Sequence, residues 1–591
     1  MLLQPNFTQD DTPFDQLTVS PHSKQFPNDV ETELSERFKG QRIYASGTRE
    51  FLKEVTDAVR QDRQLIYDGM LRTKFENPGL FVVCDYVHRL VFAQADLIGL
   101  FPAFWAMSEG RFAISDSLSQ LHSAIGGETD DVGVAEIIRL DYTIGQRTLF
   151  KNIKRLRAGE SLRFDWGAMK IQSMDMSRLW TRHDTSSRES VIKTGCELLV
   201  ESCRPMAGTM LMMSAGWDCK TLLAGAFAAG IADRVRLYYH GDLDSREARI
   251  IRKQASRFGL HLTMRELDTS LFENRFLEDS FGLYEDVSHP HWHVAGRFAA
   301  QPDTGVDSVC AGIFGEIIGG HTGPPVTLKG WRKMAATLGY LSGVPILRRH
   351  AGTTKKVDVR DAVSFLRESP YGMPWYMNEE IWRERFNSIH ELVNVDIEQA
   401  VDRYVAREIV STEAVIEAFI AENRFSQIVS DQLRSTATFK PLLAPFGNRE
   451  FLEFSCSIPF EKKVHRTLNQ RIIKELCPKL LEYPTAAVLC RASRPIFLQE
   501  ATRAIRRAAE DSLWSMHLRT NGKVAAPNLG WPNFQFLQHS NAMKNMIDGL
   551  KSPIWDKKKI GTFIDHFGYR NYHGLQGVMV KIKTLDLFGI A

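Results

Sequence analysis

The stretch that decides the fold is GTMLMMSAGWDCKTLLAGAFAAGI, residues 208–231. It predicts an apolar strand over residues 209–213, a tight turn made of SAGWDC, and a helix from about Asp218 to Gly230. A strand that enters a helix through small residues directs backbone N–H groups, and the positive end of the helix dipole, above the sheet. The corner at residues 214–219 is therefore predicted to bind phosphate.

The next segments extend the same pattern. Residues 234–240 (RVRLYYH) predict a second strand, residues 245–258 a second helix, and residues 261–267 a third strand. Strand, helix and strand at this spacing indicate a parallel sheet with right-handed crossovers. The loops SAGWDC and HGDLDS should then lie side by side at the edge where open α/β sheets bind nucleotides.

Two other interpretations of the corner are possible. Residues 216–221, GWDCKT, end like a Walker A loop, but Cys219 stands where that loop needs Gly before Lys. The loop by itself is also compatible with an ordinary buried strand and helix that bind nothing. The wider organisation of the chain favours the phosphate-binding interpretation.

Composition bounds the class of protein. The chain has 591 residues, 43% hydrophobic and 25% charged, which predicts a globular protein of several domains. The net charge of +3 shows no excess of basic residues for nucleic acid or a membrane surface. Eight scattered cysteines without a CxxC pair predict reduced thiols and no zinc site. Without a secretory signal or an apolar span, we expect a cytoplasmic protein.

The N-terminal part has a different pattern. Between residues 79 and 165, short alternating segments such as LFVVCDYV and RLVFAQAD predict antiparallel strands in a layered domain. A polar, irregular interval at residues 171–188 is predicted to be a linker.

The corner residues Ser214–Cys219 resemble the SGGxDS pyrophosphate loop of the asparagine synthetase family, with Ala215 and Cys219 replacing Gly and Ser. Further segments resemble that family in the same order. They are Gly79-Leu80-Phe81 with Asp85, residues 96–102 (DLIGLFP), Ser115-Asp116-Ser117, residues 148–165 (TLFKNIKRLRAGESLRFD) and residues 443–464 with Pro445, Phe446, Pro459 and Lys462. The resemblance covers about residues 79–500.

The resemblance implies a two-domain fold. Its N-terminal part is an α+β, four-layer, Ntn-hydrolase-like domain of antiparallel sheets, expected at residues 1–170. An α/β parallel-sheet ATP-pyrophosphatase (PP-loop) domain of the adenine nucleotide α-hydrolase-like type, with a helical C-terminal part, is expected at 189–510. Residues 511–591 are expected to form a helical extension packed on it.

The resemblance also implies site residues and cofactors. ATP would be bound by residues of the corner and of its neighbours on the sheet edge: Ser214, Ala215, Gly216, Trp217, Asp218, Cys219, Tyr239, His240 and Gly312. Residues 307–321 resemble the family's SGDGGDELFGGY segment, with Glu316 matching its Glu and with Gly315 and Gly312 where acidic residues are usual. Mg²⁺ would then be held by Asp218 and Glu316. Arg494 stands nearest by spacing to the family's Lys that stabilises developing charge.

The glutaminase activity of the family is not expected here. It requires an N-terminal Cys, whereas Leu2 and Leu3 follow Met1 and the first cysteine is Cys84. Cys84 falls inside a predicted strand, where a small buried hydrophobic role is the better interpretation.

The motif HPHWH, residues 289–293, is unusual for the family. Alternating His289, His291 and His293 could hold zinc or iron, although Pro290 and the lack of an established third ligand disfavour a metal. We expect these histidines to recognise substrate instead.

The resemblance implies an ATP-dependent, AMP-forming amide ligase that acts through an acyl-adenylate, and the missing N-terminal Cys implies that it does not hydrolyse glutamine. Relatives that use an amine already on the substrate include β-lactam synthetases and lasso-peptide cyclases, so a small-molecule, peptide or saccharide carboxylate is the expected substrate. A nucleotide-binding protein without catalysis and an ammonia-dependent asparagine synthetase are the alternatives.

Overall fold

The structure is a computed structural model. It describes residues 2–3, 17–18, 41–60, 66–67, 70–71, 75–85, 87–108, 111–175, 177–266, 292–322, 330–342, 359–367, 375–386, 388–409, 411–437, 439–520, 523–524, 541–567, 582, 584–586 and 588–590.

The described strands are numbered in chain order. They are β1 Leu2–Leu3, β2 Leu17–Thr18, β3 Gln41–Gly47, β4 Ile66–Tyr67, β5 Met70–Leu71, β6 Gly79–Asp85, β7 Leu90–Gln94, β8 Phe104–Ser108, β9 Arg111–Ser115, β10 Ile153–Arg155, β11 Glu160–Asp165, β12 Lys170–Asp175, β13 Thr209–Met212, β14 Arg236–Gly241, β15 Leu262–Glu266, β16 Ser308–Cys310 and β17 Leu442–Leu443.

The described α-helices are numbered in the same way. They are α1 Arg49–Arg60, α2 Leu118–Ile125, α3 Asp131–Leu140, α4 Arg188–Cys203, α5 Trp217–Ala228, α6 Arg246–Phe258, α7 Trp292–Ala299, α8 Gly315–Ile318, α9 Gly330–Ser342, α10 Ala362–Arg367, α11 Glu379–Phe386, α12 Ile389–Ala406, α13 Thr412–Phe419, α14 Ser430–Ala437, α15 Arg449–Ser457, α16 Phe460–Lys463, α17 Thr467–Leu476, α18 Ile496–Arg519, α19 Asn541–Asp548 and α20 Lys557–Phe567. A π-helix, Ile420–Val429, joins α13 to α14.

The N-terminal part is a sandwich of two five-stranded antiparallel sheets, in the orders β10-β8-β9-β1-β2 and β12-β11-β7-β6-β3. Phe112 of one sheet stacks on Phe164 of the other with ring centroids 4.3 Å apart. The side chains of β6 alternate between two apolar clusters. Leu80 and Val82 belong to the main core of the molecule, and Phe81 packs with Phe51 of α1 in a second cluster. Helix α2 packs on β8 and β9. The predicted layered antiparallel domain is confirmed.

Strand β12 pairs along its whole length with β11 and forms an edge of its sheet. Residues 171–175, predicted as the start of the linker, lie in this strand. Their polar composition reflects the exposed side chains of an edge strand, which the sequence pattern does not distinguish from a linker.

The second sheet is parallel, with five strands in the order β15-β14-β13-β16-β17. Helix α5 connects β13 to β14, and α6 connects β14 to β15. All four residues of β13, TMLM, are buried, as expected for a parallel strand covered on both faces. The predicted succession of strand, helix and strand is confirmed.

The C-terminal part is helical where the structure describes it. Helix α18 runs across the boundary predicted at residue 510. Trp555 forms a bridge with Met377, and Phe588 packs edge-on against Phe150 of the sandwich at 5.6 Å. The C-terminal segment therefore contacts the N-terminal sandwich as well as the helical part.

Candidate nucleotide site

The corner between β13 and α5 lies at the carboxyl edge of the parallel sheet, as the sequence predicts. Gly216 is the N-cap of α5, and it offers no side-chain cap to the first N–H groups of the helix. An uncapped helix start favours a negatively charged ligand, because its N–H groups and the helix dipole both carry positive partial charge. The first turn, Trp217 to Cys219, is therefore the part of the corner suited to phosphate.

Two buried charged side chains hold the peptide units around Ala215. The Ala215 N–H donates to Glu247 Oε1 at 2.8 Å, and Lys220 Nζ donates to the Ala215 carbonyl at 2.8 Å and to the Pro484 carbonyl at 3.2 Å. Burial lowers the pKa of Lys220 to about 8 and raises that of Glu247. Glu247 and Lys220 thus hold Ala215 in place. The Ala215 N–H already has a carboxylate partner, so it is not available to a phosphate.

The buried thiol of Cys219 links the first turn of α5 to the end of β13 and to Ser214. Its sulfur accepts from the Ser214 N–H at 3.3 Å, lies 3.3 Å from Ser214 Oγ, and donates to the Met212 carbonyl at 3.4 Å. Burial raises the pKa of the Cys219 thiol, so it stays protonated at neutral pH. The Gly216 N–H donates to Ser214 Oγ at 3.2 Å. Cys219 and Ser214 therefore shape the loop through internal bonds.

Asp218 packs directly against the glycine turn that follows β16. A Cβ atom added at Gly315 would lie 2.7 Å from Asp218 Oδ1, and one added at Gly312 would lie 2.9 Å from Asp218 Cβ. No side chain fits at either position unless Asp218 moves. In this conformation of Asp218, only glycine fits at positions 312 and 315.

Asp218 and Glu316 form an acidic pair. Asp218 Oδ1 and Glu316 Oε2 are both buried and lack a hydrogen-bond partner among the described residues. Burial, and then the charge of Asp218, raise the pKa of Glu316 from 4.5 to about 7. Burial likewise raises the pKa of Asp218, against a lowering by Arg466. Two buried oxygens that repel each other without partners are suited to a hard cation such as Mg²⁺, which prefers oxygen ligands.

Arg466 is a site residue that the sequence analysis missed. It has a left-handed backbone, with φ 65°, and follows His465, with φ 54°. Its N–H donates to the Gly319 carbonyl at 2.8 Å, and its positive charge lowers the pKa of both members of the acidic pair. Its Nε is buried without a hydrogen-bond partner in the described part of the chain. Two successive non-glycine residues in this conformation are unusual, and such strain is concentrated at functional sites.

Arg494, the cation expected from spacing, is placed differently. It is exposed, and its hydrogen bonds are made by its backbone: its N–H donates to the Arg491 carbonyl at 3.1 Å, and its carbonyl accepts from Gln470 Nε2 at 2.9 Å and Gln499 Nε2 at 2.7 Å. Its guanidinium forms no ion pair with any residue that the structure describes. Spacing from Phe497 predicted that Arg494 supplies the cation. In the structure the cation near the acidic pair is Arg466, which the left-handed turn at residues 465–466 brings there.

Tyr239 and His240 lie at the end of β14, beside the corner. The Tyr239 hydroxyl is 3.1 Å from Ser245 Oγ, and Ser245 caps α6. Burial raises the pKa of Tyr239 and lowers that of His240 to about 3, so both are neutral at physiological pH. Both residues lie at the carboxyl end of β14, and the hydroxyl of Tyr239 is engaged with the helix cap.

The predicted substrate histidines cannot be located by their side chains. His289 and His291 lie outside the described residues, and His293 is described only through the backbone of α7. Within the described ranges, no group of three or more His, Cys, Asp or Glu side chains could hold a metal ion. Cys84 is buried in β6, where it packs as a small hydrophobic side chain. No helix in the described part of the chain is long and apolar enough to cross a membrane.

Comparisons with known proteins add little. No protein-family model matches the chain, and no curated protein matches it. Among solved structures, it is similar to a glutamine-dependent NAD+ synthetase from Acinetobacter baumannii in complex with ADP, with 16% identity, a TM-score of 0.18, and coverage of 46% of this chain and 54% of that one. The chain thus spans about half the length of that synthetase. A likeness this weak says nothing about activity.

Proposed function

We propose that this protein is an ATP-dependent amide ligase that activates a carboxylate as its adenylate, as its resemblance to asparagine synthetases implies. The observation that supports this best is the acidic pair of Asp218 and Glu316, with partnerless buried oxygens, beside an uncapped helix start. The two together can receive a metal-bound triphosphate at the carboxyl edge of a parallel sheet.

The proposed reaction has two steps. A carboxylate oxygen of the substrate attacks the α-phosphorus of ATP, and the bond to the β,γ-pyrophosphate breaks. An amine then attacks the acyl carbon, AMP leaves with the electrons of the acyl–oxygen bond, and the amine releases a proton as the amide forms. The N–H groups of residues 217–219 bind phosphate oxygens, and Arg466 stabilises negative charge that develops near Glu316.

Mg²⁺ fits the acidic pair, because two carboxylates and phosphate oxygens satisfy an ion that retains several waters. Asp218 and Glu316 would hold it, and it would neutralise charge on the pyrophosphate. Arg466 and the first turn of α5 add positive charge on the protein side. Together they would balance the negative charge of the triphosphate.

The nitrogen source is proposed to be an amine rather than glutamine. Cys84 is the only cysteine in residues 1–170, and it is buried in a strand. A buried thiol packed inside a strand is a poor nucleophile, because it is inaccessible and burial disfavours the thiolate. The carboxylate substrate is proposed to be a small molecule, a peptide or a saccharide, with the reaction in the cytoplasm.

A second candidate is a protein that binds the nucleotide without catalysis. It is favoured by the N–H groups of Ser214 and Ala215, which bond to Cys219 and Glu247 and leave fewer donors for phosphate than an open loop would. Gly312 and Gly315, in the positions of family carboxylates, also reduce the number of metal ligands.

An exchange assay separates the two candidates. Labelled pyrophosphate is incubated with ATP, Mg²⁺ and a panel of carboxylates, and only an adenylating enzyme transfers label into ATP. Asp218→Asn is expected to lower exchange at least a hundredfold, as for loss of a ligand that stabilises the transition state. Asp233→Asn is the matched control, because Asp233 is exposed and precedes β14 at the opposite edge of the sheet. ATP binding without exchange across the panel would support the second candidate, and unchanged exchange in Asp218→Asn would exclude the metal role of Asp218.

A further inference from the structure

The π-helix Ile420–Val429 is fastened to the N-terminal sandwich by two buried amides. Gln427 Oε1 accepts from the Thr143 N–H at 3.0 Å, and Gln427 Nε2 donates to the Thr143 carbonyl at 2.8 Å. Asn423 Oδ1 accepts from the Gly145 N–H at 2.8 Å. Both amide side chains are almost fully buried. The two bonds to Thr143 therefore satisfy buried backbone groups, and their loss leaves those groups without a partner.

The same face of the π-helix makes two further contacts. A Cβ atom at Gly99, with φ +64°, would lie 2.8 Å from Ser426 Cβ, so the backbone of the sandwich approaches this helix closely. Glu422 forms a buried ion pair with Arg407, and Arg407 also pairs with Asp175 of β12. The face formed by residues 422, 423, 426 and 427 is thus fixed in position by the N-terminal domain.

Another face of the π-helix contacts the turn that carries Glu316. Phe425 packs against Phe314 with ring centroids 6.2 Å apart. Phe314 is buried, has a left-handed backbone with φ 71°, and is the N-cap of α8 without a side-chain cap. This conformation is unfavourable for a non-glycine residue, and it persists only where packing holds it. Arg424 adds a positive charge that lowers the pKa of Glu316.

These contacts form a continuous path from the sandwich to the acidic pair. We propose that the N-terminal domain serves as a positioning element for the nucleotide site, with Gln427 holding the π-helix so that Phe425 keeps Phe314 and Glu316 in register with Asp218. The proposal rests on the proposed function of that site. It gives a role to a domain in which glutamine hydrolysis is not expected. A π-helix in this place agrees with the frequent occurrence of such segments at functional sites.

The test compares three variants of the full chain. Gln427→Ala removes the clamp, and Phe425→Leu keeps the clamp but removes the ring contact. Arg385→Gln is the control, because Arg385 donates to Asp131 of α3 at 3.0 and 2.6 Å, and its hydrogen bonds within the described ranges do not include the π-helix. Hydrogen exchange of residues 312–318 and kcat and KM(ATP) of pyrophosphate exchange are measured for each.

Gln427→Ala and Phe425→Leu are each expected to speed amide exchange at residues 312–318 at least tenfold. They should lower kcat at least tenfold while KM for ATP changes less than threefold, and Arg385→Gln should leave all three within twofold. Equal effects of Gln427→Ala and Arg385→Gln would overturn the proposal, as would unchanged amide exchange in Phe425→Leu. If the unmodified chain catalyses no exchange, the proposed function fails, whereas the hydrogen-exchange comparison still decides the positioning role. If Gln427→Ala does not fold, Asn423→Ala decides the role of the N-terminal domain, because it removes the acceptor of the Gly145 N–H and leaves both Gln427 bonds in place.

Discussion

Replacing Glu316 by Gln should stabilise the metal-free protein, and the gain should depend on pH. The pKa of Glu316 is raised from 4.5 to about 7, first by burial and then by the charge of Asp218. Each pH unit of difference between folded and unfolded pKa corresponds to about 1.4 kcal/mol, so the charged carboxylate costs the folded state about 3 kcal/mol. Gln has a similar shape and cannot ionise.

The sign follows from proton binding. Between pH 4.5 and about 7, the folded state binds more protons at Glu316 than the unfolded state, so its contribution to stability is fully present below pH 4.5 and is lost as pH rises through about 7. The variant and the unmodified protein should therefore differ little at pH 4.5. At pH 8 the variant should be more stable by about 3 kcal/mol.

The assay is urea unfolding with EDTA at pH 5, 6, 7 and 8, followed by tryptophan fluorescence. The difference in unfolding free energy between the variant and the unmodified chain cancels the titration of distant groups. With Mg²⁺ and ATP present the order should reverse, because only the carboxylate binds the metal. A difference that stays constant from pH 5 to pH 8 would refute the account of a buried, repelling acidic pair.

Two further pairs of variants test the geometry of the site. Gly315→Ala should destabilise the protein by about 1–3 kcal/mol, since its Cβ would lie 2.7 Å from Asp218 Oδ1. Gly561→Ala, whose Cβ would meet no atom within 4 Å, should be neutral or stabilising by up to about 1 kcal/mol. Thermal unfolding measures both variants, and equal shifts in their melting temperatures would contradict the close packing of Gly315 on Asp218. Arg466→Met should lower pyrophosphate exchange at least tenfold, whereas Arg494→Met, which changes an exposed side chain, should stay within twofold of the unmodified chain. The reverse ranking would return the cationic role to Arg494.

Local periodicity determined much of the fold. The run TMLMM, the small residues of SAGWDC and the amphipathic segments that follow predict strands and helices by short-range rules, and the parallel order β13, β14 and β15 follows from their alternation. The antiparallel N-terminal domain is equally readable from alternating apolar residues. Part of strand β12 was predicted as linker, because an edge strand with polar side chains has no sequence pattern that separates it from a linker.

For the site too, some features could be predicted from the sequence and others could not. The position of Asp218 and Glu316 after two strands of one parallel sheet could be predicted, because the carboxyl ends of such strands meet at one edge. Their repulsion, the packing of Gly315 on Asp218, and the bond from the Ala215 N–H to Glu247 depend on atoms from distant segments.

The sequence by itself determined the order of strands and helices and the corner at residues 214–219. The spacing of apolar residues and the small residues of the turn set local backbone conformation through neighbours along the chain. Tertiary structure alone decided that Arg466 rather than Arg494 faces the acidic pair, and that Gln427 joins the N-terminal domain to the turn of Phe314. Left-handed backbone at a non-glycine residue, and a hydrogen bond between residues 284 positions apart, are imposed by packing across the fold and leave no local signature in the sequence.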